Sequence, residues 1–307
     1  MQTILGINGV TGVEIANVLL KKGFKVRGVS RRPYAGAWEH VQADVMDLDS
    51  LKKAVEGSEV VYFCVGLEYN LKVWQRDWLP VVENTIQACL AANAKLVFVD
   101  NVYMYGLVKG EMTETTPLIP SSEKGKVRKA MAEKLTDAFQ NRGLKGCIAR
   151  SADFYGPNCE KSLLTEAVFN NFKKGKTAQW FGYADKIHSF TYTKDIGTGS
   201  VILGLDDRAN GKVWHLPTAP NPWTGQQIVD FAAKEMGVKP KMMAARGILL
   251  SVLGLFIPIL REFKEMMYQY EYDYVFNSDL FEKTFGVKPT PYADGMKETA
   301  AFYKRNQ

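Results

Sequence analysis

The sequence predicts an α/β fold built on a doubly wound parallel sheet, and three observations predict it. Short apolar runs alternate with amphipathic segments through the first half of the chain, and strands joined through helices pair in parallel. A glycine-rich turn, Gly6-Ile-Asn-Gly9-Val-Thr-Gly12, links the first apolar run directly to the first amphipathic segment. After about residue 150 the alternation gives way to aromatics, prolines and longer loops, the pattern of a second, smaller lobe.

Taken in order, Thr3–Ile7, Lys25–Val29, Val60–Val65, Lys95–Val99 and Gly146–Ala149 read as buried strands, with His40–Ala43 a short third strand. Hydrophobic spacing places helices over 13–22, 48–56, 73–92 and 122–142,. Right-handed crossovers then give the strand order 3-2-1-4-5-6 of a Rossmann-type sheet. Residues 1–150 form this domain, with returns to its sheet expected near 187–204 and 212–216. Residues 151–307 form mostly a substrate-binding lobe, with helices over 161–174, 223–236, 280–285 and 296–305.

Composition narrows the function class. A chain of 307 residues, 46% hydrophobic and 23% charged, builds a large core without disulfide or metal staples,. Cys64, Cys89, Cys147 and Cys159 form no CxxC pair and read as reduced thiols of a cytoplasmic protein,. Three scattered histidines, His40, His188 and His215, argue against a metal site,. The N-terminus has no signal-peptide pattern. The apolar run Gly247–Leu260 is too short to span a bilayer and contains Pro258,; it reads as a buried helix or the wall of an apolar pocket, with interfacial membrane contact as the alternative. A net charge of +6 favours anionic ligands, but no dense Lys/Arg block points to nucleic acid,.

The glycine turn carries the first chemistry. Gly6 permits the tight turn, Gly9 lets the backbone approach a pyrophosphate, and Gly12 allows close helix–strand contact. The backbone of Asn8, Val10 and Thr11 completes the loop, and the helix N-terminus offers N–H groups and a positive dipole end to phosphates. At the tip of the second strand, Ser30-Arg31-Arg32 places a hydroxyl and two guanidinium groups where NAD-specific sites place an acid. Such a tip pairs with a 2′-phosphate, so NADP(H) is the expected cofactor, with NAD(H) as the alternative.

Glycines at 6, 9 and 12 and several further pieces make the chain resemble the extended and atypical short-chain dehydrogenase/reductases, the epimerase/dehydratase family. Ala43-Asp44-Val45 resembles the acidic turn that holds the adenine amino group, and Val65-Gly66-Leu67 the small-residue loop after the fourth strand. Asn84 sits where a helix asparagine helps order the site, and Val102-Tyr-Met-Tyr-Gly106 resembles the VYG loop. Arg150-Ser-Ala-Asp-Phe-Tyr-Gly-Pro157 resembles R-x-x-N-x-Y-G-P, with Asp153 in place of asparagine and Phe154 beside the cofactor. Tyr192-Thr-Lys-Asp195-Ile resembles Y-V-x-D-V, where Asp195 also reads as a helix N-cap,.

The resemblance implies a Ser/Thr, Tyr and Lys catalytic set, and here the chain departs from it. Lys129 and Glu133 match the lysine and glutamate of Y-x-x-x-K-x-x-x-E, but the tyrosine position is Gly125 and the Ser/Thr position is Asn101. Tyr105-Gly-Leu-Val-Lys109 matches Y-x-x-x-K only as a chance occurrence on a loop. Tyr103 is the candidate proton donor, its ring entering the space left by Gly125; Asn101 would donate to a substrate oxygen, and Lys129 would hold the nicotinamide ribose. Tyr155, Tyr192 and His188 are further candidates, and Trp180, Phe181, Tyr192 and the 247–260 segment would line the pocket. The expectation is an NADP(H)-dependent oxidoreductase or epimerase/dehydratase-like enzyme acting on a small carbonyl or hydroxyl substrate. The alternative is a non-catalytic NADP-binding redox sensor or assembly and scaffold protein. The helices over 73–92 and 122–142 are the surfaces through which a homodimer would form, as in many relatives.

Overall fold

The computed structural model describes residues 1–245 and 258–305. Its centre is a parallel sheet of seven strands: β1 (Gln2–Leu5), β2 (Val26–Ser30), β3 (Glu39–Gln42), β4 (Val60–Phe63), β5 (Lys95–Asp100), β6 (Gly146–Arg150) and β7 (Val213–His215). Their spatial order is 3-2-1-4-5-6-7, the predicted order extended by one edge strand. The registers Leu5↔Val29, Leu5↔Phe63 and Phe63↔Phe98 put four apolar side chains in one row. Because successive side chains point to opposite faces, Ile4, Tyr62 and Val97 form the matching row behind it, and all seven residues are buried.

Both rows are covered, which is what continuous apolar strands of this kind require. Helices α2 (Leu48–Val55), α3 (Leu71–Ala91) and α4 (Glu123–Asn141) pack on one face through Leu51, Trp78, Val82, Met131 and Leu135. Helices α1 (Val10–Lys21) and α5 (Thr193–Leu205) pack on the other through Ile15, Leu19, Ile196 and Val201. Asp47, Asn70 and Ser122 cap α2, α3 and α4 by accepting backbone N–H groups,.

Two expectations for the return segments resolve differently. Residues 213–215 join the sheet beside β6, as read from the sequence. The strand Phe190–Tyr192 instead pairs with Asp153–Tyr155 outside the seven-stranded sheet, and α5 returns to the sheet as a covering helix. Asp195 is not the cap of α5, whose N-cap is Tyr192; its carboxylate accepts the Thr290 N–H at 2.7 Å and hydroxyl at 2.8 Å. The residues after 150 gather a second core around Phe169, Val168, Val229, Ala233 and Tyr303. Trp180 and Phe181 pack into this core, against Tyr270 and Phe263 respectively, rather than lining an open pocket. The apolar run Gly247–Leu260 lies outside the described residues, apart from Pro258–Leu260 at the start of the helix Pro258–Phe263.

A buried polar chain ties the edge strand to the lobe. Arg150 donates to the Tyr105 hydroxyl at 2.7 Å, which donates to His215 Nε2 at 2.8 Å. His215 Nδ1 faces the Asn277 carbonyl at 2.7 Å and so carries the ring proton,. The Tyr105-x-x-x-Lys109 match is thereby accounted for: Tyr105 is buried in this chain and Lys109 is exposed on a turn. Burial, with Arg150 nearby, holds His215 neutral, its pKa lowered from 6.5 to about 3. The unfolded chain therefore takes up a proton below pH 6.5 that the folded chain refuses. Stability is expected to fall as pH drops from about 6.5 toward 3, by at most about 1.4 kcal/mol per pH unit from this group. Urea midpoints measured across that range should show the slope in the wild type and a shallower one in His215→Gln.

Candidate functional site

All seven strands run parallel, so their carboxyl ends and the loops that follow share one edge, where ligands of such sheets bind. The glycine turn opens that edge. Gly6 adopts φ +86°, and a Cβ there would lie 2.8 Å from the Cys64 carbonyl. A Cβ at Gly12 would lie 2.7 Å from the Gly6 carbonyl, so only glycine lets α1 approach β1 this closely. A Cβ at Gly9 would meet no protein atom closer than 3.5 Å; its space is open on the outer side. Gly9 is the N-cap of α1, makes no side-chain cap bond, and the first turn of α1 holds no acid. The N–H groups of Val10, Thr11 and Gly12 thus begin a helix whose positive end is left for an anion. Asn8 is exposed beside them.

At the tip of β2, Arg31 and Arg32 are exposed. Ser30 is buried, and its hydroxyl donates to the Arg32 carbonyl at 2.7 Å with His40 Nε2 at 3.0 Å. Ser30 therefore shapes the turn that displays the two arginines, a role shared with His40. Gln42 adds a bond to the Arg31 carbonyl at 3.1 Å, and Tyr34 stacks on Trp38 beneath the loop.

The third-strand loop is built as a turn that α3 holds. Asp44 accepts the Met46 N–H at 3.0 Å, and the Asn84 amide donates to the Val45 and Met46 carbonyls, both at 3.0 Å. Asn84 thus orders the Asp44-Val45 turn from behind. Val65 is half-buried, and Gly66 has no neighbour within 4 Å of the position its Cβ would take. Phe154 packs against the α1 side of the sheet, and its carbonyl accepts the Ser162 hydroxyl.

The expected catalytic residues lie after β5 and on α4. Asn101 accepts the Tyr103 N–H through Oδ1 at 3.1 Å, which fixes the amide and leaves its NH₂ as a donor with no bond among the described residues,. Lys129 keeps 39% of its side chain exposed and lies 3.8 Å from Glu133. Position 125 is closed: a Cβ on Gly125 would lie 2.5 Å from the Tyr103 carbonyl and 2.9 Å from Pro120. The space that a tyrosine would need is filled by backbone, so the ring of Tyr103 does not enter it. That ring stacks on Trp74 instead, with centroids 6.2 Å apart.

The inward side of α4 carries two residues that the sequence reading passed over. Lys124 is buried and bonds Glu262 at 2.7 Å and Glu265 at 2.8 Å, its ammonium 4.8 Å from the Tyr69 ring centroid. Arg128 is buried over Trp74 and Trp78 and bonds Asp100 at 3.0 Å. Their four-residue spacing was the available signal, one register ahead of Gly125 and Lys129.

Below Tyr103 lies a polar cluster around Asp153. Asp153 Oδ2 accepts the Tyr270 hydroxyl at 2.7 Å and lies 3.1 Å from His188 Nε2. His188 is stacked between Tyr270 and Tyr274, each 4.4 Å away. Burial pushes the Tyr103, Tyr270 and Tyr274 phenols well above their ordinary pKa; nearby Asp153 adds to the shift in each case. The cluster also includes Tyr69 and Tyr268, both raised by burial. These phenols stay protonated, and Tyr270 donates to Asp153. The signal for them was a tyrosine at every second position in Tyr268-Gln-Tyr270-Glu-Tyr272-Asp-Tyr274. Tyr155 and Tyr192 belong elsewhere, Tyr155 in an aromatic cluster with Tyr192 and Tyr292, and Tyr192 donating to Glu298 at 2.6 Å.

Comparison with known proteins agrees with this fold. Residues 3–215 match the model of the NAD dependent epimerase/dehydratase family. The 3beta-hydroxysteroid-dehydrogenase/decarboxylase isoform 2 of Arabidopsis thaliana is 22% identical over 176 residues, covering 54% of this chain and 31% of that protein. The uncharacterized UDP-glucose epimerase YtcB of Bacillus subtilis is 27% identical over 168 residues, covering 52% of each. The chain thus spans about a third to a half of the length of these two curated relatives. A DesIV double mutant, a dTDP-glucose 4,6-dehydratase of Streptomyces venezuelae solved with NAD bound, superposes with TM-score 0.81 at 17% identity, covering 100% of this chain and 97% of that one. The Thermus thermophilus UDP-glucose 4-epimerase complex with NAD gives TM-score 0.81 at 17% identity over 99% of both chains. At these identities the likeness establishes the fold.

The closed contact at position 125 yields a direct test. Gly125→Tyr puts a tyrosine where the resemblance expects one, yet it is expected to destabilise the protein by about 1–3 kcal/mol, as overpacking does, and to leave any carbonyl-reducing activity no higher. Thermal melts and rate assays of this variant would overturn the reading if stability were unchanged or activity rose.

Proposed function

This chain belongs to the NAD-dependent epimerase/dehydratase family, and on that premise we propose that it is an NADP(H)-dependent oxidoreductase or epimerase/dehydratase-like enzyme acting at a carbonyl or hydroxyl carbon of a small molecule. The observation that carries the reading is the cradle at the sheet edge. It combines the open face of Gly9, the uncapped N-terminus of α1 and the exposed pair Arg31 and Arg32, with no acid at the β2 tip. These residues fit a dinucleotide: Gly9 and Gly66 leave room that a Cβ would fill, and the helix end faces an anion,.

Each side chain then has a task. Gly6, Asn8, Gly9, Val10, Thr11 and Gly12 hold the pyrophosphate, and Arg31 and Arg32 pair with the 2′-phosphate on the turn that Ser30 shapes. Asp44 and Val45 receive the adenine on the turn that Asn84 orders, with Val65, Gly66 and Phe154 along the nicotinamide half. Lys129, half-exposed, grips the ribose. The bound nicotinamide supplies a hydride donor or acceptor. Asn101 donates its free NH₂ to the substrate oxygen, and Tyr103, a protonated phenol, is a second donor beside it.

One observation favours a second reading. Position 125 has no room for a side chain, which supports a non-catalytic NADP-binding redox sensor or scaffold. A carbonyl-substrate panel that shows no turnover despite NADPH binding would favour it. The free thiols, with no disulfide among the described residues, support a cytoplasmic location, and α3 with α4 is the surface offered to a homodimer. Among the described residues, no helix is long and apolar enough to cross a membrane.

Cofactor titration tests the leading reading. NADPH fluorescence should report tight binding, and Arg31→Ala should weaken it about tenfold or more, roughly 1.4 kcal/mol, while NADH affinity changes less than about twofold. Absence of binding by either cofactor would sink the proposal; equal loss for both would remove the NADP preference.

A further inference from the structure

The chain lacks a tyrosine at position 125 and has a carboxylate at position 153, where the resembling motif has asparagine. An amide cannot exchange a proton, whereas a carboxyl group can. We propose that Asp153 and His188 form the proton-exchanging pair of the substrate site, Asp153 as the catalytic acid–base and His188 as its positioning partner. This rests on the reading of the chain as an NADP(H)-dependent enzyme.

The hydrogen bonds place the proton. His188 Nδ1 lies 3.1 Å from the Gln269 carbonyl, which can only accept, so Nδ1 carries hydrogen,. On the other side, Nε2 lies 3.1 Å from Asp153 Oδ2. A lone pair there would face a carboxylate, so this contact holds a second proton, shared between ring and carboxyl. Tyr270 donates to the same Oδ2 at 2.7 Å, and the Tyr270 and Tyr274 rings sandwich the imidazole, lying nearly parallel to it at 19° and 16°. Stacked rings favour a cationic imidazole between them. Asp153 keeps 24% of its side chain exposed, and no hydrogen bond from a described residue reaches its Oδ1. That oxygen is the end of the relay that a substrate can touch.

The surroundings leave the exchange to this pair. Tyr69, Tyr103, Tyr268, Tyr270 and Tyr274 face it as phenols that burial keeps protonated. The neighbouring cations Lys124 and Arg128 are committed to Glu262, Glu265 and Asp100, and Asp273 is held by the Ile187 N–H. With the cofactor bound, the nicotinamide would supply the hydride for reduction of a carbonyl carbon. The C=O π pair moves to oxygen; the proton shared with His188 Nε2 is carried on the Asp153 carboxyl group, whose rotation presents it to the substrate oxygen, where it forms the O–H bond. The pair, one proton short, regains it from solvent. Oxidation of the alcohol reverses each movement.

Three histidines make the test tractable. With ¹⁵N-histidine-labelled protein, His188 should show protons on both ring nitrogens near neutral pH in the wild type and on Nδ1 alone in Asp153→Asn. Tyr270→Phe, which keeps the ring and removes one bond, should shift the pH at which His188 loses its second proton. NADPH reduction of a carbonyl panel should fall at least 100-fold in Asp153→Asn with cofactor affinity unchanged. In the wild type, the rate should decline with rising pH at the same midpoint as the NMR transition. The proposal is overturned if His188 shows a bare Nε2 in the wild type, if Asp153→Asn leaves its signals unchanged, or if that variant keeps the alkaline decline. Failure of NADPH binding would refute the cofactor reading instead, while the His188 signals would still decide whether the pair shares its proton.

Discussion

The buried ion pair between Arg128 and Asp100 organises the packing of β5, α3 and α4. Asp100 ends β5, and Arg128 reaches it from α4 across the indole faces of Trp74 and Trp78 on α3. Burial raises the Asp100 pKa while Arg128 and Arg150 oppose the shift, so the carboxylate is tolerable only with its cation in place,. The pair therefore holds three elements at one spacing, and that spacing presses the start of α4 onto the turn after β5. Gly125 is the consequence: at 2.5 Å from the Tyr103 carbonyl, no Cβ fits.

From that contact the two halves of the sheet edge diverge in character. Around β1 and β2 the surface is open, cationic and backbone-rich, with glycines where a ligand would approach. Around β5 and α4 it is dense with rings and internally paired charges. Glu262 accepts the Leu71 N–H at the start of α3, Glu265 accepts the Glu123 N–H at the start of α4, and Lys124 neutralises both. Positive helix ends and a buried ammonium thus draw the 262–274 segment, with Tyr268, Tyr270 and Tyr274, toward Tyr69 and Tyr103,. Low polarity then makes every phenol a poor acid and leaves proton exchange to the carboxyl–imidazole pair.

The glycine turn and the strands around it were legible because their signals are local. Gly6, Gly9 and Gly12 act through backbone conformation and close approach within one turn, and a strand followed by a helix is enough to show where that turn lies. Strand order followed from alternation and handedness. Asn84 was read as a residue that orders the site; the fold shows that its amide holds the Val45 and Met46 carbonyls. Ser30 illustrates the limit: a hydroxyl at a strand tip reads as a ligand group, but His40, ten residues on, turns it into a structural one.

By itself, the sequence determined the parallel sheet, the glycine turn, the basic β2 tip and the glycine at position 125, since each depends on residues close along the chain. Tertiary structure alone decided what surrounds them. It closed position 125 with a carbonyl from 22 residues earlier, faced α4 inward through Lys124 and Arg128, and brought Asp153, His188, Tyr270 and Tyr274 to one point. These contacts join segments up to 121 residues apart. The physical reason is that a proton-exchanging pair is defined by distance, burial and the hydrogen-bonding capacity of its neighbours, and none of these is a property of a residue's position along the chain.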